Sequence, residues 1–283
     1  MKKILVTGAN GQLGSELNVL SMNYPNYQWI FADRTKVTLD NLELLNTQLE
    51  SIQPNIILNC GAYTAVDKAE TEKELAFTIN NFAVELIAKY ALENNVKLIH
   101  ISTDYVFDGS SAIALNEEAP TNPINVYGES KLAGEIACLN NCPDSIIIRT
   151  SWVYSKFGNN FVKTMQRLMQ ERESINVVND QIGSPTYAAD LAQAMIDILE
   201  SSNWVPGIYN YSNEGEISWY EFALSIKEFG GYNCNVGGIP SSSYPTPAKR
   251  PEFSLLDKKK IKTLYNFNIA NYKDSLRKMF IID

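Results

Sequence analysis

Five short apolar runs, Lys3 to Thr7, Gln28 to Ala32, Asn55 to Cys60, Lys97 to Ser102 and Ser145 to Thr150, recur through the first half of the chain. Longer amphipathic stretches separate them. A nearly continuous apolar run of this length fits a strand covered on both faces, as a parallel sheet requires. Helical periodicity opens near Gln12, near Asp40 (placed to act as an N-cap), across Asp67 to Asn94, and near Val126. The β-α-β-α order with crossovers predicts an α/β fold with a Rossmann-type doubly wound parallel sheet.

After Arg149 the rhythm changes. Tyr, Ser, Pro and Gly become frequent, Ile175 to Val178 reads as a strand, and Gly237 to Arg250, with three prolines, reads as irregular. The expectation is a smaller α/β substrate-binding lobe interleaved with the first. Residues 1–152 and 174–213 would form the dinucleotide-binding domain, and 153–173 with 214–283 the second lobe. Neither an internal repeat nor a low-complexity tract interrupts the chain.

At 283 residues with 45% hydrophobic and 20% charged positions, the chain has an ordinary globular composition. Its formal net charge of −8 argues against a nucleic-acid partner, which demands a basic face. The densest basic run, Lys258 to Lys260, is three residues long and reads as a solvated helix face. An anionic substrate remains compatible, provided a few basic residues are focused in a cleft. With no long apolar stretch and no signal-like N-terminus, the expectation is a cytoplasmic protein that does not enter a membrane. Cys60, Cys138, Cys142 and Cys234 lack zinc-ligand spacing and read as reduced, mostly buried thiols. His100 is the only histidine, so a histidine metal cluster is excluded and a serine-type triad has one candidate.

Candidate chemistry begins at Gly8-Ala9-Asn10-Gly11-Gln12-Leu13-Gly14, between the first strand and the first helix. Glycines at this spacing let the chain turn tightly, bring N–H groups to a pyrophosphate and pack helix against sheet, while the helix N-terminus favours the anion. Nineteen residues after Gly14 come Asp33, suited to a ribose hydroxyl, and Arg34, suited to a 2′-phosphate, so NADH and NADPH both remain open.

Tyr127 and Lys131 stand at i and i+4 on one helix face. An ammonium beside a phenol is expected to lower its pKa and make it a usable proton donor to a carbonyl. Thr103 ends the fourth strand at the carboxyl edge of the sheet, where ligands of open α/β folds bind, and is placed to share charge developing on the same carbonyl oxygen. Each alone has a bland reading: a surface pair, or a strand-end hydroxyl satisfying backbone. Their order along one chain argues for a site.

With these residues placed, the chain resembles the extended short-chain dehydrogenase/reductase family and, within it, the dTDP-4-dehydrorhamnose reductases. The likeness runs through Asn59 to Glu70, where Cys60 and Gly61 replace other small residues, and through Asp104-Tyr105-Val106-Phe107-Asp108-Gly109 and Arg149 to Tyr154. It continues in Phe157 to Phe161, Asp180 to Thr186 and Arg250-Pro251.

The resemblance implies that Gly8, Asn10, Gly11, Gln12, Leu13 and Gly14 hold the cofactor pyrophosphate. Asp33, Arg34, Leu39, Asp40, Ala62 and Tyr63 would lie along the rest of NADPH or NADH. It implies a catalytic set of Thr103, Tyr127 and Lys131, with Tyr127 and Lys131 also on the cofactor. A dTDP-sugar would meet Thr103, Asp104, Tyr105, Val106, Phe107, Trp152, Asn159 and Asn160, with Gln181, Thr186 and Arg250 at its nucleotide end. For Trp152, core packing is an equal alternative to sugar stacking.

Some enzymes of this group are described as dimers sharing a divalent metal such as Mg2+. Glu16 and Asp190 match two of the carboxylates and no third is placed near the C-terminus, so no metal site is assigned and both a monomer and a homodimer stay open. The implied activity is NAD(P)H-dependent reduction of a C4 keto group to give dTDP-L-rhamnose for cell-surface polysaccharide. A 4,6-dehydratase would carry Glu where Tyr105 stands. A 4-epimerase, another nucleotide-sugar reductase, or a non-catalytic regulatory subunit of the methionine adenosyltransferase type are the alternatives.

Overall fold

The structure is a computed structural model that describes residues 1–282. Strand β1 (Lys2–Thr7) lies between β2 (Tyr27–Ala32) and β3 (Ile56–Asn59), with β4 (Lys97–Thr103), β5 (Ile146–Thr150) and the edge strand Gly207–Asn210 following beyond β3. All pairings in this six-stranded sheet are parallel. The chain moves outward from β1 to β2 and then crosses back to β3, so the strand order reverses between β1 and β3. A crevice opens at such a switch point, outside the carboxyl ends of the strands.

Alternate residues of the sheet feed two cores. Ile4, Val6, Leu58, Ile99 and Ile148 pack with helix α1 (Gln12–Ser21) and the helix Ala188–Glu200. Leu5, Ile57, Leu98 and Ile147 pack with helix α2 (Leu42–Ile52) and the helices Ala83–Glu93 and Val126–Asn141. Because side chains alternate across a strand, a nearly continuous apolar run serves both layers at once. Truncating one of these buried leucines to alanine costs about 2–5 kcal/mol.

Three details depart from the sequence reading. Helix α2 is capped by Asn41, whose side chain accepts from the Leu44 N–H, and not by Asp40, whose carboxylate takes the Thr38 hydroxyl. The stretch from Asp67 to Asn94 is broken into Val66–Ala69, Lys73–Phe77, a π turn at Thr78–Phe82 and Ala83–Glu93. The π turn places Asn80 inward, where its amide bonds both backbone groups of Tyr63 and the Ser130 hydroxyl. The opening of the Gly237 to Arg250 stretch is not irregular, since Asn235–Ile239 pairs in parallel with Ser174–Val178.

That two-stranded sheet belongs to a third core. Ile175 and Val177 pack there with Val162, Met165, Phe222 and Leu276, under the helices Phe161–Glu171 and Trp219–Gly230. The second of these helices starts with a capping box between Ser218 and Glu221 and stops at Gly231 in the left-handed region. Among the described residues no helix is long and apolar enough to cross a membrane.

Candidate active site

The crevice at the switch point holds a cavity of about 740 Å3. Gly8, φ +65°, sits at its floor, and a Cβ there would lie 2.7 Å from the Gly61 Cα. Only glycine lets the loops after β1 and β3 approach so closely. Gly14 plays a packing part, its missing Cβ leaving room for the Gly8 carbonyl. Gly11 caps α1 without a side-chain hydrogen bond, so the first N–H groups of the helix stay unpaired by any cap and face the crevice.

Gly8, Asn10, Gly11, Gln12, Leu13, Asp33, Arg34, Leu39, Asp40 and Ala62 all line the cavity. Gly14 and Tyr63 do not; Tyr63 is buried behind it, donating to Glu72 at 2.6 Å. The Asp33 carboxylate is held below its ordinary range by the Thr35 hydroxyl and N–H and by the Lys36 N–H, all on Oδ1, while Oδ2 takes the Asn10 amide at 3.4 Å. Arg34 is exposed and forms no ion pair among the described residues. These features fit a dinucleotide: a side-chain-free cradle, an uncapped helix N-terminus, and both an acid and a base at the end of β2.

Thr103, Asp104, Tyr105, Tyr127 and Lys131 converge on the far side of the same cavity. Thr103 caps the short turn Asp104–Val106, accepting from the Tyr105 N–H at 3.2 Å. Asn125 caps the Tyr127 helix, accepting from Gly128 N–H at 2.8 Å, and Gly128 is forced by the Tyr105 carbonyl, 2.2 Å from where a Cβ would stand. Tyr105 and Tyr127 meet edge to face at 5.4 Å. Burial pushes the Tyr127 hydroxyl up to about 12, with the Thr103 hydroxyl partly opposing this.

The expectation of a phenol acidified by its neighbour is therefore corrected. Lys131 directs its Nζ to the Ile101 carbonyl at 2.6 Å, satisfying a buried amine on the strand in preference to the phenol. Burial lowers Lys131 to about 8, while Glu135, Cys138 and Cys60 pull the other way. Asp104 is buried with no hydrogen-bond partner for Oδ2, and burial raises it to about 6, against the Ser254 and Thr103 hydroxyls. Behind the site, Glu135 holds Arg149 by two bonds of 2.9 and 2.7 Å in a buried pair.

From beyond β5, Trp152 and Asn159 reach the cavity. Trp152 holds φ +48°, and its indole stacks on Trp219 at 3.7 Å between ring centres. Gly183 leaves the space for that indole. Asn160 lies just outside, capping its helix and donating to Gln12 Oε1 at 2.9 Å.

Five further sequence candidates do not line the cavity. Val106 and Phe107 are buried against Leu256, Gln181 is buried, and Thr186 accepts the Thr150 hydroxyl. Arg250 makes two 2.9 Å bonds to the Asp67 carboxylate. Sequence reasoning missed Trp219, Cys60 and Ser102. Ser102 lines the cavity with a buried, unpartnered hydroxyl, one position before a residue already singled out.

The expected metal carboxylates have protein partners. Glu16 accepts the Ser155 hydroxyl at 2.6 Å. Asp190 accepts from Asn213 at 2.7 Å and from Ser275, with Lys278 at 3.8 Å. No group of three metal-ligating side chains forms among the described residues, and Asp283 lies outside them.

The profile of the RmlD substrate binding domain matches residues 1–282. The chain belongs to that family. A curated relative, the dTDP-4-dehydrorhamnose reductase of Aggregatibacter actinomycetemcomitans, is 38% identical over 98% of both chains. A solved structure of dTDP-4-dehydrorhamnose reductase from Bacillus anthracis, in complex with NADP, superposes with TM-score 0.95 at 38% identity over 100% of both chains. The UDP-glucose 4-epimerase of Thermus thermophilus, complexed with NAD, shares the fold alone, at TM-score 0.84 and 18% identity over 99% of this chain and 98% of that one. Membership of the RmlD family accounts for the likeness over the whole chain, second lobe included.

Proposed function

We propose that the chain is a cytoplasmic NAD(P)H-dependent reductase that converts the C4 keto group of dTDP-4-dehydro-L-rhamnose to the hydroxyl of dTDP-L-rhamnose. The observation that carries this reading is the convergence of Thr103, Tyr127 and Lys131 on the cavity floored by Gly8 and Gly11. The proposed cofactor contacts are the loop Gly8 to Gly14, Asp33, Arg34, Leu39, Asp40 and Ala62, with Tyr63 supporting Ala62 from behind. Dihydronicotinamide, when bound, supplies the hydride to C4.

The protein's own part is proton placement and shape. Tyr127 keeps its proton at neutral pH and donates it from Oη to the oxygen at C4 as charge develops there. Thr103 Oγ1 shares that charge, and the unpartnered Asp104 Oδ2 is available to a sugar hydroxyl. Trp152 and Asn159 form the sugar-facing wall. Arg250 is proposed to brace the loop that covers the nucleotide end. The domain division is proposed as the expected one with a single change, the strand Ser174–Val178 moving from the nucleotide lobe to the second lobe, whose core it packs in.

The test is cofactor oxidation with dTDP-4-keto-6-deoxyglucose and its 3,5-epimerase. Wild type should consume NADPH only when the epimerase is present. Tyr127→Phe should lose roughly 10²–10⁴-fold in kcat while still binding cofactor. A wild type that binds cofactor and turns over nothing would overturn the reading.

A further inference from the structure

The only histidine of the chain is fully buried on β4 and does not line the cavity, yet its ring nitrogen Nε2 is 3.5 Å from Lys131 Nζ. Its tautomer follows from donor and acceptor accounting along a buried chain. Thr7 Oγ1 accepts the Gly61 N–H at 3.0 Å and donates its own proton to Asn59 Oδ1 at 2.6 Å. With that oxygen facing Thr7, Asn59 Nδ2 donates to His100 Nδ1 at 3.0 Å. A neutral imidazole carries one N–H and one lone pair. A bare Nδ1 therefore puts the proton on Nε2, pointing at Lys131.

An ammonium cannot accept that proton; an amine can. We propose that His100 is a positioning residue for Lys131, its Nε2–H held towards Nζ by the Thr7–Asn59 chain so that it supports the amine form of the lysine. The proposal rests on the reductase reading above, in which Tyr127 Oη yields its proton to the C4 oxygen. In its amine form Lys131 donates to Ile101 O while accepting the His100 Nε2–H. The same chain ends at Gly61, against which Gly8 packs, so it ties the lysine to the phosphate loop.

The groups that face Lys131 are His100 from β4, Cys60 beyond β3, and Glu135 and Cys138 on its own helix, with Glu135 paired to Arg149 of β5. Each of the carboxylate and the thiols favours the ammonium. His100 is the member of the set that favours the amine.

A single histidine makes the test direct. In the full-length protein with NADP+ bound, 15N-histidine labelling should show a protonated Nε2 and a bare Nδ1 throughout about pH 6 to 9, where an ordinary histidine would titrate. The Nε2 signal should step as Lys131 titrates, and the step should vanish in Lys131→Met. A proton on Nδ1, or an imidazolium forming in that range, overturns the proposal. In turnover, His100→Gln offers the ammonium an acceptor oxygen, so the alkaline limb of kcat should move up by roughly half to one pH unit with the sugar KM little changed. A limb left at its wild-type position also overturns it. Should wild type reduce no keto-sugar, the reductase reading fails by itself, while the labelling still decides the state of His100.

Discussion

Along the wall of the cavity made by β1, β3 and β4, the residues that reach the crevice come from within a few positions of a strand end: Gly8 and Gly11 after β1, Gly61 and Ala62 after β3, Thr103 at the end of β4. The opposite wall starts just past β5, at Trp152, but continues to Gly158 and Asn159, which follow no strand of the six-stranded sheet. Trp152 is held there by Trp219, and the Arg250 loop, outside the cavity, is held by Asp67, a partner 183 residues away in sequence. One wall is fixed by parallel register, the other by side chains that must find each other after both lobes have folded. Activity should accordingly fail abruptly when the first wall is disturbed and by degrees when the second is.

The largest effect is expected behind the first wall. Glu135→Gln leaves the Arg149 guanidinium buried with its charge unanswered, and breaking such a pair costs roughly 3–5 kcal/mol. A urea-unfolding free energy lowered by less than a quarter of that amount would show that the pair is not what anchors the Tyr127 helix to β5.

A middling effect is expected at the indole pair of the second wall. Trp219→Leu removes the ring on which Trp152 stacks, an aromatic contact of about 0.5–1.5 kcal/mol, and frees an indole held at positive φ. The sugar KM should rise by roughly three- to tenfold with the cofactor affinity unchanged. Equal loss of both would mean that the two walls are mechanically one.

The same contrast explains what could be read from the chain alone. The sheet, the glycine loop and the Tyr127–Lys131 pair are local patterns whose spacing carries the geometry, and they reappear within one or two residues of where the pattern puts them. Asn41 took the cap from Asp40 because Thr38, two residues back, claimed the aspartate, a competition within five residues that composition does not rank. Trp219 could not be found, since nothing near it in sequence is chemical. Arg250 was legible as a well-placed cation, but its partner was not, because ion pairing across lobes depends on the fold. The pKa of Tyr127 went the other way from expectation for a related reason: i, i+4 spacing says that Lys131 is near, but not that the Ile101 carbonyl offers it a better partner.

The smallest effect belongs to that interlobe pair. Asp67→Asn should cost on the order of 0.5 kcal/mol, since both side chains are partly solvated and such pairs contribute little. Its pH dependence is the sharper reading. The Arg250 hydrogen bonds hold the Asp67 carboxyl below its ordinary value, so the unfolded chain binds the proton more readily. The stabilisation is therefore complete above the usual carboxylate range and disappears as pH falls through the lower folded value. Wild type and Asp67→Asn should differ at neutral pH and converge in acid below about pH 4. If Arg250 serves as a brace for the covering loop, the variant should also raise the sugar KM by roughly two- to threefold, whereas a guanidinium that instead grips the diphosphate would be released by losing Asp67 and bind the sugar nucleotide more tightly. The sign of that KM change separates a wall held shut by its own ion pair from one completed by the substrate.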